Sequence, residues 1–121
     1  MTPFAWLCLA HLVGDWLLQN DWMAREKRGR WMGAACLLHC TIYTTTLTVA
    51  FLMIAWPWTA ATSRQGLLFA SAIFLSHWLI DGFNLPQRWN QLIGQSSSTM
   101  VRTVVDQTMH LLVLAVLVQW L

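Results

Sequence analysis

Three apolar stretches of this chain each carry a histidine and an aspartate four residues apart: His11 with Asp15, His77 with Asp81, and Asp106 with His110. Residues at this spacing lie on the same face of an α-helix, so three helices would each present an imidazole beside a carboxylate. Side chains of these two types together suit first-row metals such as Zn, Mn or Fe. The spacing therefore predicts a site for a divalent metal.

A fourth apolar stretch contributes His39, so that each stretch holds one of the four histidines. An Asp inside a bilayer costs about 2.5–3.5 kcal/mol on insertion scales, and such residues persist when they bind an ion or one another. Because zinc usually takes four ligands, these donors are enough for one or two ions. The predicted metal ligands are His11, Asp15, His39, His77, Asp81, Asp106 and His110.

The composition indicates that lipid surrounds the elements carrying these residues. Of 121 residues, 57% are apolar, only 10% are charged and nine are Trp, whereas a soluble domain carries about 25% charged residues. A helix that crosses a bilayer needs about 20 mostly apolar residues. We therefore predict an all-α, four-helix transmembrane bundle in a single domain, residues 1–121, with helices at about 3–20, 31–56, 65–85 and 100–121.

Short polar or charged segments separate the four predicted helices. Pro57 is expected to end the second helix and Pro86 the third, because proline lacks the N–H that a helix interior needs. We expect loops at Thr59–Arg64 and at the serine run Ser96, Ser97 and Ser98. The N-terminal stretch lacks the basic start of a cleavable signal peptide, so we expect it to be retained as the first helix.

The order of Asp and His along the chain fits one common polar layer. Consecutive helices of such a bundle alternate in direction, and Asp precedes His only in the pair on the last helix. On all three helices the Asp would then lie nearer one membrane surface, with the His one turn deeper.

Basic residues predict which surface that is. The first loop carries Arg25, Lys27, Arg28 and Arg30, whereas the second carries only Arg64. Because Lys and Arg are enriched in cytoplasmic loops, the polar layer should face the cytoplasm. Both termini of an inner-membrane protein would then face the periplasm.

The same basic run has two interpretations. It can set topology and contact anionic lipids, or it can recognise a phosphate beside the metal. For the second interpretation the candidate substrate-binding residues are Gln19, Lys27, Arg28 and Gln107.

The three cysteines, Cys8, Cys36 and Cys40, lie in apolar stretches and are interpreted as buried apolar side chains, although a soft-metal role for Cys36 and Cys40 stays open.

The motifs resemble those of the DUF3307 family, small bacterial and phage membrane proteins of unknown function. The resemblance rests on HLVGDWLLQNDWMAREK from His11, LLHC around His39, HWLID from His77 and DQTMH from Asp106. A weaker likeness, to inner-membrane metal-dependent hydrolases with HxxxD pairs in apolar helices, implies hydrolysis of a lipid or lipid-phosphate substrate. In such a reaction Asp106 or Asp15 would be the catalytic base.

Two other functions fit the same residues. The His/Asp pairs could form a path for protons or ions, or they could hold together a small membrane protein that serves a larger partner. The expected partners are membrane lipids and, if the bundle pairs with itself, a second copy of the chain. No nucleic acid is expected.

Overall fold

Six α-helices make up the part of the chain that the computed structural model describes, residues 1–95 and 98–120. They are α1 (Pro3–Leu12), α2 (Asp21–Glu26), α3 (Ala34–Ile54), α4 (Ala60–Gly82), α5 (Leu85–Leu92) and α6 (Thr99–Leu117), with a π-helical turn at Val13–Leu17 and a 3-10 turn at Val118–Trp120. The described residues contain no strand, which confirms the all-α prediction.

The long helix α3 is central to the packing, since it contacts α1, the π-helical turn, α2 and α4. Helix α6 packs against α1, α4 and α5. An apolar core fills one end of this arrangement, where Leu7, Leu47, Phe51, Ile73 and Leu114 are all buried. The His and Asp residues lie toward the other end.

Two helices, α3 and α6, are long and apolar enough to cross a membrane. Helices α4 and α5 pass the same test only as a pair, bent by 56° at the break between them. The described residues therefore contain two candidate spans, or three with the bent pair, where the sequence predicted four. The first predicted span falls short because α1 has only 10 residues, and a span needs about 20.

Two capping residues change the boundaries expected from the sequence. The first helix, expected to reach Asn20, widens at Val13 and ends at Leu17, and the Asn20 side chain instead accepts a hydrogen bond from the N–H of Met23 to start α2. The stretch from Thr59, expected to be a loop, is helical from Ala60. Its cap is the Thr59 hydroxyl, which accepts from the N–H of Thr62 at 3.2 Å, and Thr is a preferred N-cap residue.

Pro86 lies in the first turn of α5 and does not stop the preceding helix. Helix α4 ends at Gly82, and Asn84, with a left-handed φ of 50°, lies at the bend that leads into α5. Proline is tolerated in a first turn, where its missing N–H would have no partner. The polar stretch after Pro86 therefore contains a helix as far as Leu92.

Of the predicted serine loop, only Ser98 lies within the described residues, where its side chain caps α6. Ser96, Ser97 and the last residue of the predicted fourth helix, Leu121, lie outside them. The second helix is shorter than expected at both ends, from Ala34 to Ile54.

Candidate metal centre

All seven predicted metal ligands lie at the same end of the bundle. Four elements carry them: the junction of α1 with the π-helical turn, the first third of α3, the last turns of α4 and the middle of α6. None is more than 3% exposed. They are His11, Asp15, His39, His77, Asp81, Asp106 and His110.

The π-helical turn places Asp15 directly against α3. Gly14 lies so close to this helix that an added Cβ would stand 3.2 Å from the Tyr43 ring and 3.3 Å from its Cα. The absence of a side chain at this position lets the two backbones approach. Single π-turns within helices are frequent at functional sites, and here the turn carries a carboxylate into the polar layer.

The loop after α2 is fastened to the C-terminal end of α4. The N–H of Gly29 donates to the carbonyl of Asp81 at 3.3 Å, and the indole N–H of Trp78 donates to the carbonyl of Trp31 at 2.7 Å. Gly82 faces Trp31 so closely that an added Cβ would lie 2.9 Å from the Trp31 Cβ. These contacts hold the preceding residue Lys27 over the site.

Lys27 reaches into the centre of the polar layer. Its side chain is only 2% exposed, and Nζ lies 2.7 Å from Asp81 Oδ2, 3.1 Å from His39 Nε2 and 3.3 Å from Asp15 Oδ1. Burial disfavours its charge, but the nearby carboxylates of Asp81 and Asp15 outweigh this and raise the pKa of Lys27. The structure therefore separates this ammonium group from Arg25 and Arg30 of the same basic run, which are exposed.

Two groups of potential metal ligands share Asp15. The ligand atoms of Asp15, His39, His77 and Asp81 all lie within 4.8 Å of one another, and so do those of Asp15, Asp106 and His110. Within the first group, His39 Nε2 is 3.0 Å from Asp15 Oδ1 and His77 Nε2 is 3.2 Å from Asp81 Oδ2.

Several of these donor atoms lack a hydrogen bond. Nε2 of His77, Nε2 of His110 and Oδ1 of Asp81 are buried and make none, whereas Oδ2 of Asp81 pairs with Lys27. His110 Nε2 instead stands 3.4 Å from Asp81 Oδ1 and 3.6 Å from Asp106 Oδ1. Most buried polar side-chain atoms have a partner, so converging unpaired donors indicate a place for a bound ion.

His11 is not part of either group. The carboxylate of Asp15 can only accept, so the Gln107 amide donates to Asp15 Oδ2 at 2.6 Å and turns its carbonyl oxygen toward His11 Nε2, 2.8 Å away. That carbonyl accepts the Nε2–H of His11, which leaves Nδ1 to accept from the Tyr43 hydroxyl at 2.8 Å. With both ring nitrogens engaged, His11 acts through Gln107 on the orientation of Asp15.

Tyr43 is a residue of the site that sequence reasoning missed. Its ring also stacks on His77, with centroids 3.8 Å apart, and it is 2% exposed. A signal for it was present, because Tyr43 follows His39 by four residues and so shares its helix face.

A polar cleft of about 280 Å³ opens onto the site. Gln19 and Arg28 lie in its wall, as their expected role requires, and Asp15 and Asp106 form part of its floor. Its lining residues are Asp15, Trp16, Gln19, Lys27, Arg28, Thr103, Asp106 and Gln107.

Comparison with known proteins establishes the family of this chain. The model of a family described as "Protein of unknown function (DUF3307)" matches residues 4–121. The chain belongs to the DUF3307 family. This confirms the resemblance seen in the motifs, and the match covers every residue of the DUF3307 site described above. No curated protein and no solved structure matches the chain significantly, so its function has to be inferred from the site.

Proposed function

We propose that this DUF3307 protein is a multi-pass membrane protein that binds a divalent metal among α1, α3, α4 and α6 and hydrolyses a lipid phosphate ester there. The observation that carries the proposal is the convergence of buried donor atoms from separate helices that lack a hydrogen bond, Nε2 of His77 and Oδ1 of Asp81 on α4 with Nε2 of His110 on α6. The neighbouring carboxylates of Asp15 and Asp106 line the polar cleft.

The donor chemistry fits zinc, manganese or iron. Imidazole nitrogen suits Zn and Fe, and carboxylate oxygen suits Mn. A bound ion of this kind polarises a phosphoryl group and lowers the pKa of water toward about 7. The candidate ligands are Asp15, His39, His77, Asp81, Asp106 and His110, whereas His11 supports Asp15 through Gln107.

Asp106 is the better candidate for the catalytic base. Both oxygens of Asp15 are engaged, one by Lys27 and His39 and the other by the amide of Gln107. Asp106 makes longer contacts, 3.4 Å from Gln107 and 3.6 Å from His110, and it lines the cleft. In the proposed reaction, water adds to phosphorus and the carboxylate oxygen of Asp106 that does not bind metal takes its proton. The P–O bond to the leaving alcohol then breaks, and that alcohol receives a proton.

The position of the cleft favours a lipid substrate. It opens at the end of the bundle where the amphipathic helix α5 exposes Leu92 and Ile93, as a helix lying in the membrane interface does. Arg28 and Gln19 in the cleft wall offer donors to a phosphate. The excess of basic residues in the neighbouring loop supports a cytoplasmic orientation.

Transport fits this structure less well than hydrolysis. Beyond the polar layer the interior is filled by Leu7, Leu47, Phe51 and Leu114. Two threonines of α3, Thr41 and Thr45, are exposed and bond to carbonyls of their own helix, so they do not line this interior.

The test combines metal content with activity on the full chain in detergent or vesicles. Elemental analysis of wild type beside Asp15→Asn/His110→Ala, which removes a ligand from both groups, should show stoichiometric Zn, Mn or Fe that the double variant loses. Mixed micelles containing phosphatidic acid or a polyprenyl phosphate should release phosphate with wild type but not with Asp106→Asn. Absence of metal after reconstitution with Zn and Mn, or full activity in folded Asp106→Asn, would contradict the proposal.

A further inference from the structure

The two ligand groups that share Asp15 differ in what fills them. In the first, the ammonium of Lys27 contacts Asp15, Asp81 and His39 at 3.3, 2.7 and 3.1 Å. A zinc ion bonded to those same atoms at about 2.0–2.2 Å would need the space that the ammonium fills. The first group thus already holds a cation, and this cation is part of the chain.

The second group has no such cation. Among the described residues, no Lys or Arg forms an ion pair with Asp106. His110 is 2% exposed, and its Nε2 makes no hydrogen bond and lies 3.6 Å from Asp106 Oδ1 and 3.4 Å from Asp81 Oδ1. Asp15 and Asp106 also line the cleft, so this group is the one that a metal and a substrate can reach from outside.

The formal charges agree with a single divalent ion. Asp15, Asp81 and Asp106 carry three negative charges and Lys27 one positive charge, which leaves minus two when the histidines are neutral. Buried charges need compensation, and one divalent cation supplies it. Two divalent ions together with Lys27 would instead leave the layer positively charged.

We infer that the site holds one divalent metal, bound by Asp15, Asp106 and His110 at the floor of the cleft, and that the Lys27 ammonium is a built-in second cation on the opposite side of the Asp15 carboxylate. This inference rests on the proposed function, since it assumes that a metal binds.

Such an arrangement has a chemical logic. Catalytic zinc sites use three protein ligands and keep an open position, and the second group supplies three ligands beside an open cleft. Two-metal hydrolases clamp a phosphoryl group between two cations. Here a lysine takes the place of one ion, so the ligand class is an anion bearing a phosphate, bound by the metal in the cleft that Lys27 also lines.

The experiment is a titration of metal-stripped full-length protein in detergent with Mn²⁺ and Zn²⁺, with bound metal counted by elemental analysis after gel filtration. We expect one ion per wild-type chain. Asp106→Asn and His110→Gln should weaken binding at least tenfold, whereas His39→Gln should change it less than threefold. Lys27→Met should keep the first ion and gain a second, which Lys27→Met/His39→Gln should lose again.

Two results would overturn the inference while leaving metal binding intact. The first is two ions per wild-type chain, a count that needs no variant and so does not depend on variant folding. The second is loss of the ion in His39→Gln with retention in Asp106→Asn, which would place the metal where Lys27 now lies. If wild type and all folded variants bind no metal, the proposed function itself fails.

Discussion

The side-chain nitrogen of Lys27 lies 2.7 Å from Oδ2 of Asp81, and each of the two side chains is at most 2% exposed. One comes from a loop and the other from the last turn of a long helix, and a hydrogen bond from the Gly29 N–H to the Asp81 carbonyl ties these elements together. A buried ion pair of this kind depends on both partners, because either charge alone would be left without compensation.

Removing the ammonium should therefore destabilise the metal-free protein. Lys27→Met leaves the carboxylates of Asp15 and Asp81 without their cation, and breaking a buried pair from one side costs about 3–5 kcal/mol. We expect the apparent melting temperature in detergent with EDTA to fall and to recover when Mn²⁺ or Zn²⁺ is added. Arg30→Met is the matched control, because it removes an exposed cation paired with Glu26 and should change little. Equal melting temperatures for the two variants would contradict the buried role of Lys27.

The hydrogen bonds of Gln107 should matter for metal affinity. Gln107→Leu removes the donor to Asp15 Oδ2 and the acceptor for His11, and losing an outer partner of a metal ligand typically costs 10–100-fold in affinity. Competition with a chelator of known affinity measures this change. Gln119→Leu is the control, because it alters an exposed glutamine in the 3-10 turn after α6 whose side chain donates to the Ala115 carbonyl. If Gln107→Leu binds metal with unchanged affinity, Gln107 and His11 do not support the metal centre.

Gly82 should be intolerant of even a methyl group. Gly82→Ala would put a Cβ 2.9 Å from that of Trp31, so the loop that carries Lys27 has to move away from α4. We expect a lower melting temperature and weaker metal binding, measured on the same sample. Gly66→Ala is the control. Its added Cβ would lie 3.4 Å from the Leu52 side chain and 3.5 Å from the Phe51 side chain, which are ordinary van der Waals distances. If both variants behave as wild type, the loop is not held by this contact.

The proposed topology places the two ends of α4 on opposite sides of the membrane. Single cysteines at Ala61 and Gln95, both exposed, should react with an impermeant maleimide from opposite faces of inverted and right-side-out vesicles. Both single-cysteine variants are made in a protein in which the native cysteines Cys8, Cys36 and Cys40 are replaced by alanine, so that only the introduced thiol can react. Labelling of both positions from the same face would exclude a membrane-crossing α4.

Spacing was sufficient to predict the polar layer. Each His/Asp pair lies four residues apart, and a helix places such residues on one face whatever its neighbours are. In the structure Asp81 and His110 meet from different helices, at the end of the bundle opposite the apolar core.

The roles of Lys27 and Gln107 could not be read in the same way. Lys27 stands in a run of exposed basic residues with no helical period that turns it inward, and its burial depends on tertiary contacts at Gly29 and Trp31. Gln107 adjoins Asp106, but its partners lie on α1 and its π-helical turn.

Helix α5 was missed because the sequence alone left the position of Pro86 in a helix undecided. A proline stops a helix when it falls in the interior and is tolerated when it falls in the first turn.

The dispersal of the ligands over the whole chain controls when the site can exist. Asp15 belongs to the first helical segment and His110 to the last, so the second ligand group forms only after α6 has packed beside α1 and α4. During synthesis the earlier helices carry two carboxylates with Lys27 between them. A ribosome-bound or prematurely ended chain without α6 thus lacks the third carboxylate and its histidine, and the second ligand group is incomplete until the final helix packs against α1 and α4.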